Sequence, residues 1–444
     1  MANTYLTRTP SSAGNRRTWT WSSWIKRSTT GSEYMYSWGY NENNVDGFNF
    51  DSNDKINVWG YQSGTNYSLS TNRRFRDVNG YYHVVIKYDS TQATASNRLK
   101  IYINGEQETS FGIEIYPNQN HEALVNNTIA NRIGQYGWNT DDYFSGLMSH
   151  IHFIDGTVYD ATVFGETDAT TGEWKIKTSP TISSYGTNGF FLLKDGNTIT
   201  DQSPNSNNYT LAGGTLTKTE DNPSNVFATL NPLAFTTAYT LSNGNNYFNG
   251  GTITSWVHGV PATIGASSGK YYWEVKWKNG TSVSIVGVLP IDKAYHCSDT
   301  GGGAVYNYTN GWQLSTSGAG DKYNYVASNG SGFQRSHDDV IMFAMDMDNK
   351  KLWSGYNGTW YSSGNPATGA NPTWDTSEFP SDWDNGFIPY CQSYYSGTVT
   401  EFAFNFGNGY FGTTAVSSAG TNASGNGIFE YDVPTGYTAL STKG

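Results

Sequence analysis

The 444-residue chain has two cysteines, few prolines and only 14% charged residues, against roughly a quarter in an ordinary soluble domain, and each scarcity excludes something. Cys297 and Cys391 are too few and too far apart for a disulfide framework, which leaves two buried thiols or at most a single bridge. No apolar stretch reaches the roughly 18 residues of a membrane helix, so no membrane insertion is expected. The polar start MANTYLTRTP lacks the apolar core of a signal peptide, and synthesis in a cytoplasm without one is expected. A formal charge of -11 is spread along the sequence without a basic run. A nucleic-acid binder needs Lys and Arg to displace counterions from phosphate, so DNA and RNA are excluded as partners. The densest basic spots, Arg16-Arg17 and Arg73-Arg74-Phe75-Arg76, read as a solvated strand edge.

Helix formers are sparse and never fall into a long 3.6-residue pattern. Aromatic residues, by contrast, make up 16% of the chain, alongside 50 glycines and abundant Asn, Ser and Thr. That mixture favours short strands and tight turns, so the chain is expected to be all-β. Its length is more than one hydrophobic core comfortably fills, and two domains are expected.

The first half opens with TWTWSSWIKRS at 18–28, whose alternation puts Trp19 and Trp21 on one face of a half-buried strand. GYYHVVIKYDST at 80–91 and NRLKIYINGEQETSF at 97–111 follow as strands, the second turning at Asn104-Gly105, a strong hairpin signal. IGQYG at 133–137 and YFSGLMSHIHFIDG at 143–156 add two more. In the second half, GKYYWEVKW at 269–277, VGV at 286–288 and EFAFNFG at 401–407 read as strands. DDVIMFAMDMDNKKLWSGYNGTWY at 338–361 is a pair of alternating strands around Asp348-Asn349-Lys350. Residues 216–238 carry two prolines and little strand patterning and read as a linker between domains. Residues 411–428, FGTTAVSSAGTNASGNGI, read as a surface loop.

The order of motifs in the first half resembles the laminin G-like, or concanavalin A-like, jelly roll: an early Trp strand, the Tyr82-His83-Val84-Val85 strand, an Ile-Tyr-x-Asn-Gly hairpin, an Ile-Gly strand and a Gly-Leu strand. The second-half segments resemble the SPRY domain, a bent antiparallel β-sandwich. With FGETDATTGEWKIK, DQSPNSNNYTLAG and the closing YDVPTGYTAL, nearly the whole chain resembles a family of bacteriophage proteins, common among marine phages, in which such a jelly roll precedes a SPRY-like domain. The resemblance implies a jelly roll over 1–215, a linker over 216–238 and a SPRY-like domain over 239–444.

Catalytic patterns are missing. Jelly rolls of this shape include glucanases, whose active strand carries Glu-x-Asp-x-x-Glu with nucleophile and acid/base about 5 Å apart. The nearest string, Glu166-Thr167-Asp168-Ala169-Thr170-Thr171, lacks the third carboxylate and sits in a turn-like segment. No Gly-x-Ser-x-Gly elbow, His-Glu-x-x-His helix, Walker loop or dinucleotide fingerprint occurs. His150 and His152 alternate along one strand, but no third ligand can be named, and they read as sandwich histidines; His83 reads as core or edge. No cofactor is expected. Asp141 and Asp142, adjacent in a loop, are the weak candidates for calcium.

Carbohydrate binding needs less: an exposed ring to stack on a sugar face, flanked by amides, carboxylates or backbone groups. Gln135-Tyr136-Gly137-Trp138-Asn139-Thr140-Asp141-Asp142 places Trp138 in a polar loop, and Tyr136, Trp138, Asn139, Asp141 and Asp142 form the first candidate site. On the second domain, Tyr306, Tyr308, Trp312, Tyr323 and Tyr325 lie in or beside long Gly- and Ser-rich loops, with Tyr394 and Tyr395 in another. They are candidates for a glycan or partner surface. The family resemblance implies a non-enzymatic component of a virion surface, such as a tail or capsid fibre, with host cell-surface glycans and other virion proteins as partners. Homo-oligomers are expected, with a trimer among the options. A purely structural decoration or connector protein is the alternative, and a glycan-cleaving enzyme a weaker one.

Overall fold

The computed structural model describes the chain apart from residues 1–2, 139–141, 195, 197, 235–238, 252–258, 281–283, 293, 295–311, 316–321, 325–326, 330–335, 376–384 and 394–398. Among the described residues the helical pieces are short 3-10 turns, and no helix is long and apolar enough to cross a membrane. The protein is all-β and forms two compact units, residues 1–218 with 222–224 and residues 219–221 with 225–444.

In the first unit, β1 (Tyr5–Arg8), β2 (Thr18–Arg27), β3 (Glu33–Asn41), β4 (Asn44–Phe50), β5 (Ile56–Gln62), β6 (Thr65–Thr71), β7 (Tyr82–Asp89) and β8 (Leu99–Ile103) are followed by β9 (Glu106–Gln107), β10 (Phe111–Ile115), β11 (Asn131–Ile133) and β12 (Gly146–Asp155). The hairpin β13 (Gly165–Thr167) and β14 (Trp174–Ile176), then β15 (Phe190–Leu192) and β16 (Thr210–Ala212), complete it. An eight-stranded sheet runs β10-β6-β5-β4-β3-β11-β1-β16, and a six-stranded sheet runs β15-β12-β2-β7-β8-β9. Alternation fills the space between them: Trp19 and Trp21 of β2, Tyr36 and Trp38 of β3, Phe48 of β4, Val58 of β5, Ile86 of β7 and Phe153 of β12 form one buried cluster. Trp19 stacks flat on Tyr88, ring centroids 4.8 Å apart. Burying each such ring contributes on the order of 2–3 kcal/mol.

The hairpin read from Asn104-Gly105 is present, with φ of 50° and 85° at its two central residues, as a type I′ turn requires. Other expectations change. The strand expected over 133–137 ends at Ile133, because Gly134 takes a positive φ and the chain then crosses the sheet. Glu166 lies on β13 of a hairpin rather than in a turn. His150 and His152 do not alternate regularly, because β12 bulges between Ser149 and His152 and His150 has a φ of 49°. Arg73–Arg76 is a loop, not a strand edge. Phe75 is buried, Arg76 pairs with Asp54 at 2.8 Å, and Arg73 pairs with Glu108 at 3.1 Å.

The second unit contains β17 (Thr240–Ser242), β18 (Tyr247–Asn249), β19 (Val260–Pro261), β20 (Lys270–Asn279), β21 (Ser284–Pro290), β22 (Trp312–Ser315), β23 (Lys322–Asn324), β24 (Ala327–Asn329), β25 (Val340–Asp346), β26 (Lys351–Tyr356), β27 (Thr359–Trp360), β28 (Phe387–Ser393) and β29 (Glu401–Asn405). One sheet runs β17-β18-β29-β20-β25-β26-β27, with Thr438–Ala439 parallel to β20, and the other runs β19-β28-β21-β22-β23-β24. The segments singled out in the sequence thus fall on strands of an antiparallel sandwich. Trp273, Val275, Val286, Phe343, Phe402 and Phe404 lie in its core, with Cys391 buried beside them; Cys297 lies outside the described residues. Within the stretch read as a linker, Phe227, Ala228 and Leu230 are buried in this unit.

Residues 411–428 are mostly exposed, yet they are braced by side chains of the segment that follows. Asp432 Oδ1 accepts from Thr421 N and Oγ1 at 2.7 and 2.8 Å, and Glu430 Oε2 accepts from Ser417 N at 3.0 Å.

Candidate functional site

Cross-strand register decides which side chains share the outer face of the eight-stranded sheet. Tyr36, Trp38, Phe48, Val58 and Leu69 point into the core, so the intervening residues point away from it. One outer row reads Ser37 (β3), Gly47 (β4), Trp59 (β5), Ser68 (β6) and Ile115 (β10). The next reads Tyr34, Asn49, Asn57, Ser70 and Ile113 on the same strands. None of these residues is charged.

Gly47 is the seat on which the rings meet. A Cβ there would lie 2.9 Å from Tyr34 Cε1 and 3.3 Å from the Trp59 ring atoms Cε2 and Cζ2. Trp59 therefore lies down against β4, and its Nε1 donates to Asn49 Oδ1 at 3.0 Å. Asn57 Oδ1 accepts from Ser68 Oγ at 3.3 Å. The face thus carries two polar pairs, Asn49 with the indole and Asn57 with Ser68.

The loop after β11 crosses this face and supplies two more rings. Ser37 Oγ donates to the Gln135 carbonyl at 2.7 Å, Arg132 Nη1 donates to the Tyr136 carbonyl at 3.0 Å, and Gly137 packs where a Cβ would meet Val45 at 3.0 Å. Tyr136 comes to 4.5 Å from Tyr34 and 6.2 Å from Trp59, centroid to centroid, and Trp138 to 6.3 Å from Tyr136. Tyr34 is 7% exposed and Trp138 39%, so the four rings descend from solvent to the sheet. Burial raises the Tyr34 and Tyr136 hydroxyls above their ordinary range, and the Asp142 charge adds to it, so both remain neutral donors. At the far ends of the rows Ile113 and Ile115 are 47% and 44% exposed.

Of the first candidate set, Tyr136 and Trp138 come together and Asp142 lies beside them as an exposed residue at a φ of 55°. Asn139 and Asp141 lie outside the described residues. Tyr34, Trp59, Asn49 and Asn57 were not identified from the sequence, because they are distant in the chain and only pairing register collects them. The alternation of β5, Ile56-Asn57-Val58-Trp59, did carry a signal, since it sets Trp59 against the core-facing residues. On the second unit, Tyr306, Tyr308, Tyr325, Tyr394 and Tyr395 lie outside the described residues, and Trp312 and Tyr323 fall on β22 and β23.

The remaining chemistry is engaged in structure. Glu166 and Asp168 both pair with Lys175, at 3.6 and 3.1 Å, on the β13–β14 hairpin. Asp168 also caps its turn by accepting from Thr170 N and Thr171 N, and these bonds hold its carboxyl well below the usual range. His152 is buried, stacks on Phe191 at 3.9 Å, and its Nδ1 lies 2.9 Å from the Tyr185 hydroxyl. Among the described residues no three His, Cys, Asp or Glu side chains gather as a metal site.

Residues 2–164 match the concanavalin A-like lectin/glucanases superfamily. The first unit is similar to that superfamily. No curated protein matches the chain. Among solved structures, the SPRY domain of human HERC1 is similar at 14% identity over 39% of this chain and 96% of that one, with a TM-score of 0.28. The TRIM65 PSpry domain is similar at 12% over 40% and 91%, with a TM-score of 0.30. The native heptameric SAP-like pentraxin from Limulus polyphemus is similar at 17% over 36% and 72%, with a TM-score of 0.28.

Proposed function

We propose that the chain is a non-catalytic, carbohydrate-recognising component of a bacteriophage virion surface, such as a tail fibre or capsid fibre. The observation that carries this reading is the contiguous set Tyr34, Trp59, Tyr136 and Trp138 beside Asn49, Asn57 and Ser68 on one sheet face. Ring faces stack on the apolar side of a sugar, while amides and hydroxyls meet its hydroxyls. The superfamily match supports contact with carbohydrate. The pairing of Glu166 and Asp168 with a common lysine supports binding over cleavage, since both carboxylates are engaged in ion pairs on the hairpin. The virion assignment rests on the sequence resemblance to marine phage proteins. Many copies on one particle would raise weak single-site affinity through multivalency, as a first reversible host contact requires.

The test is binding of the purified protein to intact host cells and to extracted surface glycans, with soluble-sugar competition. Saccharide-competed binding supports the reading. The exposed Ile113 and Ile115 at the far ends of the same rows favour a second reading, a decoration protein that packs this face on another virion protein. A folded protein that binds neither cells nor glycans, with unstable particles on its deletion, would favour that alternative.

A further inference from the structure

At the end of β20 the backbone of the second unit is arranged for chemistry on itself. β20 bulges against β29 between Trp277 and Asn279, and the chain then passes to Gly280. Gly280 has a φ of 136°, a conformation that side chains rarely adopt, so glycine is required there. Its N–H donates to the side chain of the preceding residue, Asn279 Oδ1, at 2.9 Å. Trp277 Nε1 donates at 2.8 Å to the Asn279 main-chain carbonyl, the oxygen of the same peptide group. His337 Nε2 lies 3.0 Å from the Gly280 carbonyl, which can only accept, so that nitrogen carries the hydrogen. The imidazole packs edge-on against Trp277, ring centroids 4.7 Å apart.

We propose that Asn279 is a site of self-modification: the Gly280 nitrogen closes on the Asn279 side chain to give a succinimide, which water opens to aspartate or isoaspartate. The nucleophile is already in place. A carbonyl bond is about 1.2 Å long, so a nitrogen 2.9 Å from Oδ1 stands within about 4 Å of Cγ, close to the roughly 3–3.5 Å of a near-attack geometry. Glycine has no Cβ to obstruct ring closure. The peptide nitrogen attacks once it has lost its hydrogen, and the resulting charge is shared with the oxygen of its own peptide group. That oxygen faces the Trp277 indole, which is 5% exposed, so the developing charge meets a preorganised donor away from water.

The step balances with water alone. Hydroxide removes the Gly280 N–H hydrogen, the nitrogen bonds to Cγ, and the bond from Cγ to the side-chain nitrogen breaks. That nitrogen takes a proton from water and leaves as ammonia, which regenerates hydroxide. Water then adds to either carbonyl of the imide, so the new carboxyl lies on the side chain or on the main chain. Asn279 is half-buried, so water reaches the ring.

Other asparagines that precede glycine are tied elsewhere. Asn104 Oδ1 accepts from His83 N at 2.8 Å, Asn249 Oδ1 from Gly251 N at 2.9 Å, and Asn357 Oδ1 from Val340 N at 2.9 Å. At Asn279 conversion has a structural consequence. This residue stands opposite Glu401 in the β20–β29 register, so the product sets one carboxylate across from another, and the end of β20 is expected to loosen from β29.

The experiment is incubation of the full chain at mildly alkaline pH, folded and in guanidinium, with samples digested in acid and mapped by mass spectrometry. Isoaspartate is scored with the methyltransferase that recognises it. Ammonia loss at Asn279 is expected to run roughly tenfold or more faster in the folded chain than in the unfolded one. It should exceed that at Asn104, Asn249 and Asn357 of the same folded sample by a similar factor, and rise in proportion to hydroxide. Trp277→Phe keeps a ring and removes the donor, and should slow conversion at Asn279 several-fold while leaving Asn104 unchanged. The folded-to-unfolded comparison requires no variant. Equal rates at Asn279 in the two states, or Asn279 intact while Asn104, Asn249 or Asn357 converts, would overturn the proposal. A folded Trp277→Phe chain that converts at the wild-type rate would overturn it as well.

Discussion

Trp174 Nε1 donates to His83 Nδ1 at 3.0 Å, and this bond ties the β13–β14 hairpin to the six-stranded sheet. An indole nitrogen only donates, so His83 Nδ1 must be the unprotonated nitrogen, and its Nε2 carries the hydrogen toward Ser22 Oγ at 2.9 Å. Trp24 stacks on the imidazole at 4.6 Å. Gly105 and Gly165 make room for the indole: a Cβ on either would lie 2.5 Å from a Trp174 ring atom.

His83 is therefore expected to stay neutral, in the Nε2–H form, well below the usual histidine range, since burial lowers it to about 3. The unfolded chain takes up this proton below about 6.5, whereas the folded chain does not until about 3. Stability contributed here is present above 6.5 and lost as pH falls toward 3. Nitrogen-15 shifts of His83 that moved to the doubly protonated pattern near pH 6 would contradict the assignment. Trp174→Phe keeps a ring but removes the donor, and should cost about 1–2 kcal/mol in urea unfolding.

This contact also marks how far the sequence could be read. The Tyr82-His83-Val84-Val85 strand and the Asn104-Gly105 turn were legible because alternation and turn chemistry are local. Trp174, 91 residues from His83 in the chain, gave no sign of its partner. The same holds at the candidate site. Tyr136 and Trp138 stood out because they share a polar loop, but Trp59 and Tyr34 joined them only through the register of β3, β4 and β5. The IGQYG segment misled because the jelly-roll resemblance implies an Ile-Gly strand there, whereas the positive φ at Gly134 is invisible in a pattern of side chains.

Gly47 should be intolerant of side chains in a way that separates binding from folding. Its φ is ordinary and the obstacle is steric, since Tyr34 Cε1 stands 2.9 Å from the added carbon. Gly47→Ala is expected to lift the Tyr34 and Trp59 rings at a stability cost of about 1–3 kcal/mol. It should also redden or quench the Trp59 fluorescence and reduce glycan binding. Trp138→Ala, at an exposed position, should reduce binding while changing stability by no more than about 0.5 kcal/mol. Unchanged saccharide affinity in both variants would remove this face from consideration.

Arg27 is fully buried and satisfies four acceptors: Glu33 at 3.0 Å, Asp54 at 3.1 Å, the Phe75 carbonyl at 2.7 Å and the Gly31 carbonyl at 2.8 Å. Its guanidinium lies 4.2 Å above the Phe50 ring. Arg27→Ala would strand the Glu33 carboxylate in the interior, leave Asp54 with Arg76 as its remaining cation, and should cost about 3–5 kcal/mol, whereas Arg27→Lys, which cannot reproduce the fork, should recover only part of it. Chemical denaturation of the two variants distinguishes this from a surface pair, whose loss would cost about 1 kcal/mol or less.

Glu274 plays the corresponding role in the second unit, where it fastens the segment after Ile428 to β20. Oε1 accepts from Tyr272 Oη at 2.9 Å and Tyr431 N at 2.8 Å; Oε2 accepts from Glu430 N at 2.9 Å and Asn405 Nδ2 at 3.1 Å. Phe429, Val433 and Tyr437 then pack on Tyr272, Met342 and Trp353. Removing the acceptor in Glu274→Ala leaves these donors unsatisfied and should cost about 3 kcal/mol or more, with amide exchange accelerating over 429–440 before the rest of the unit. Burial pushes the Glu274 carboxyl up to about 7, against the pull of the donors, while an unfolded glutamate titrates near 4.5. Between these values the folded chain holds a proton that the unfolded chain has released. The contribution is therefore full below about 4.5 and lost as pH rises through 7. Asp46, buried in the first unit and also raised to about 7, acts in the same sense. Urea unfolding followed through the second unit at pH 5 and pH 8 should show the wild type weaker at pH 8. Glu274→Gln should be weaker throughout, because its amide nitrogen faces N–H donors, and should have a flatter dependence on pH; an unaltered slope in that variant would place the titrating group elsewhere.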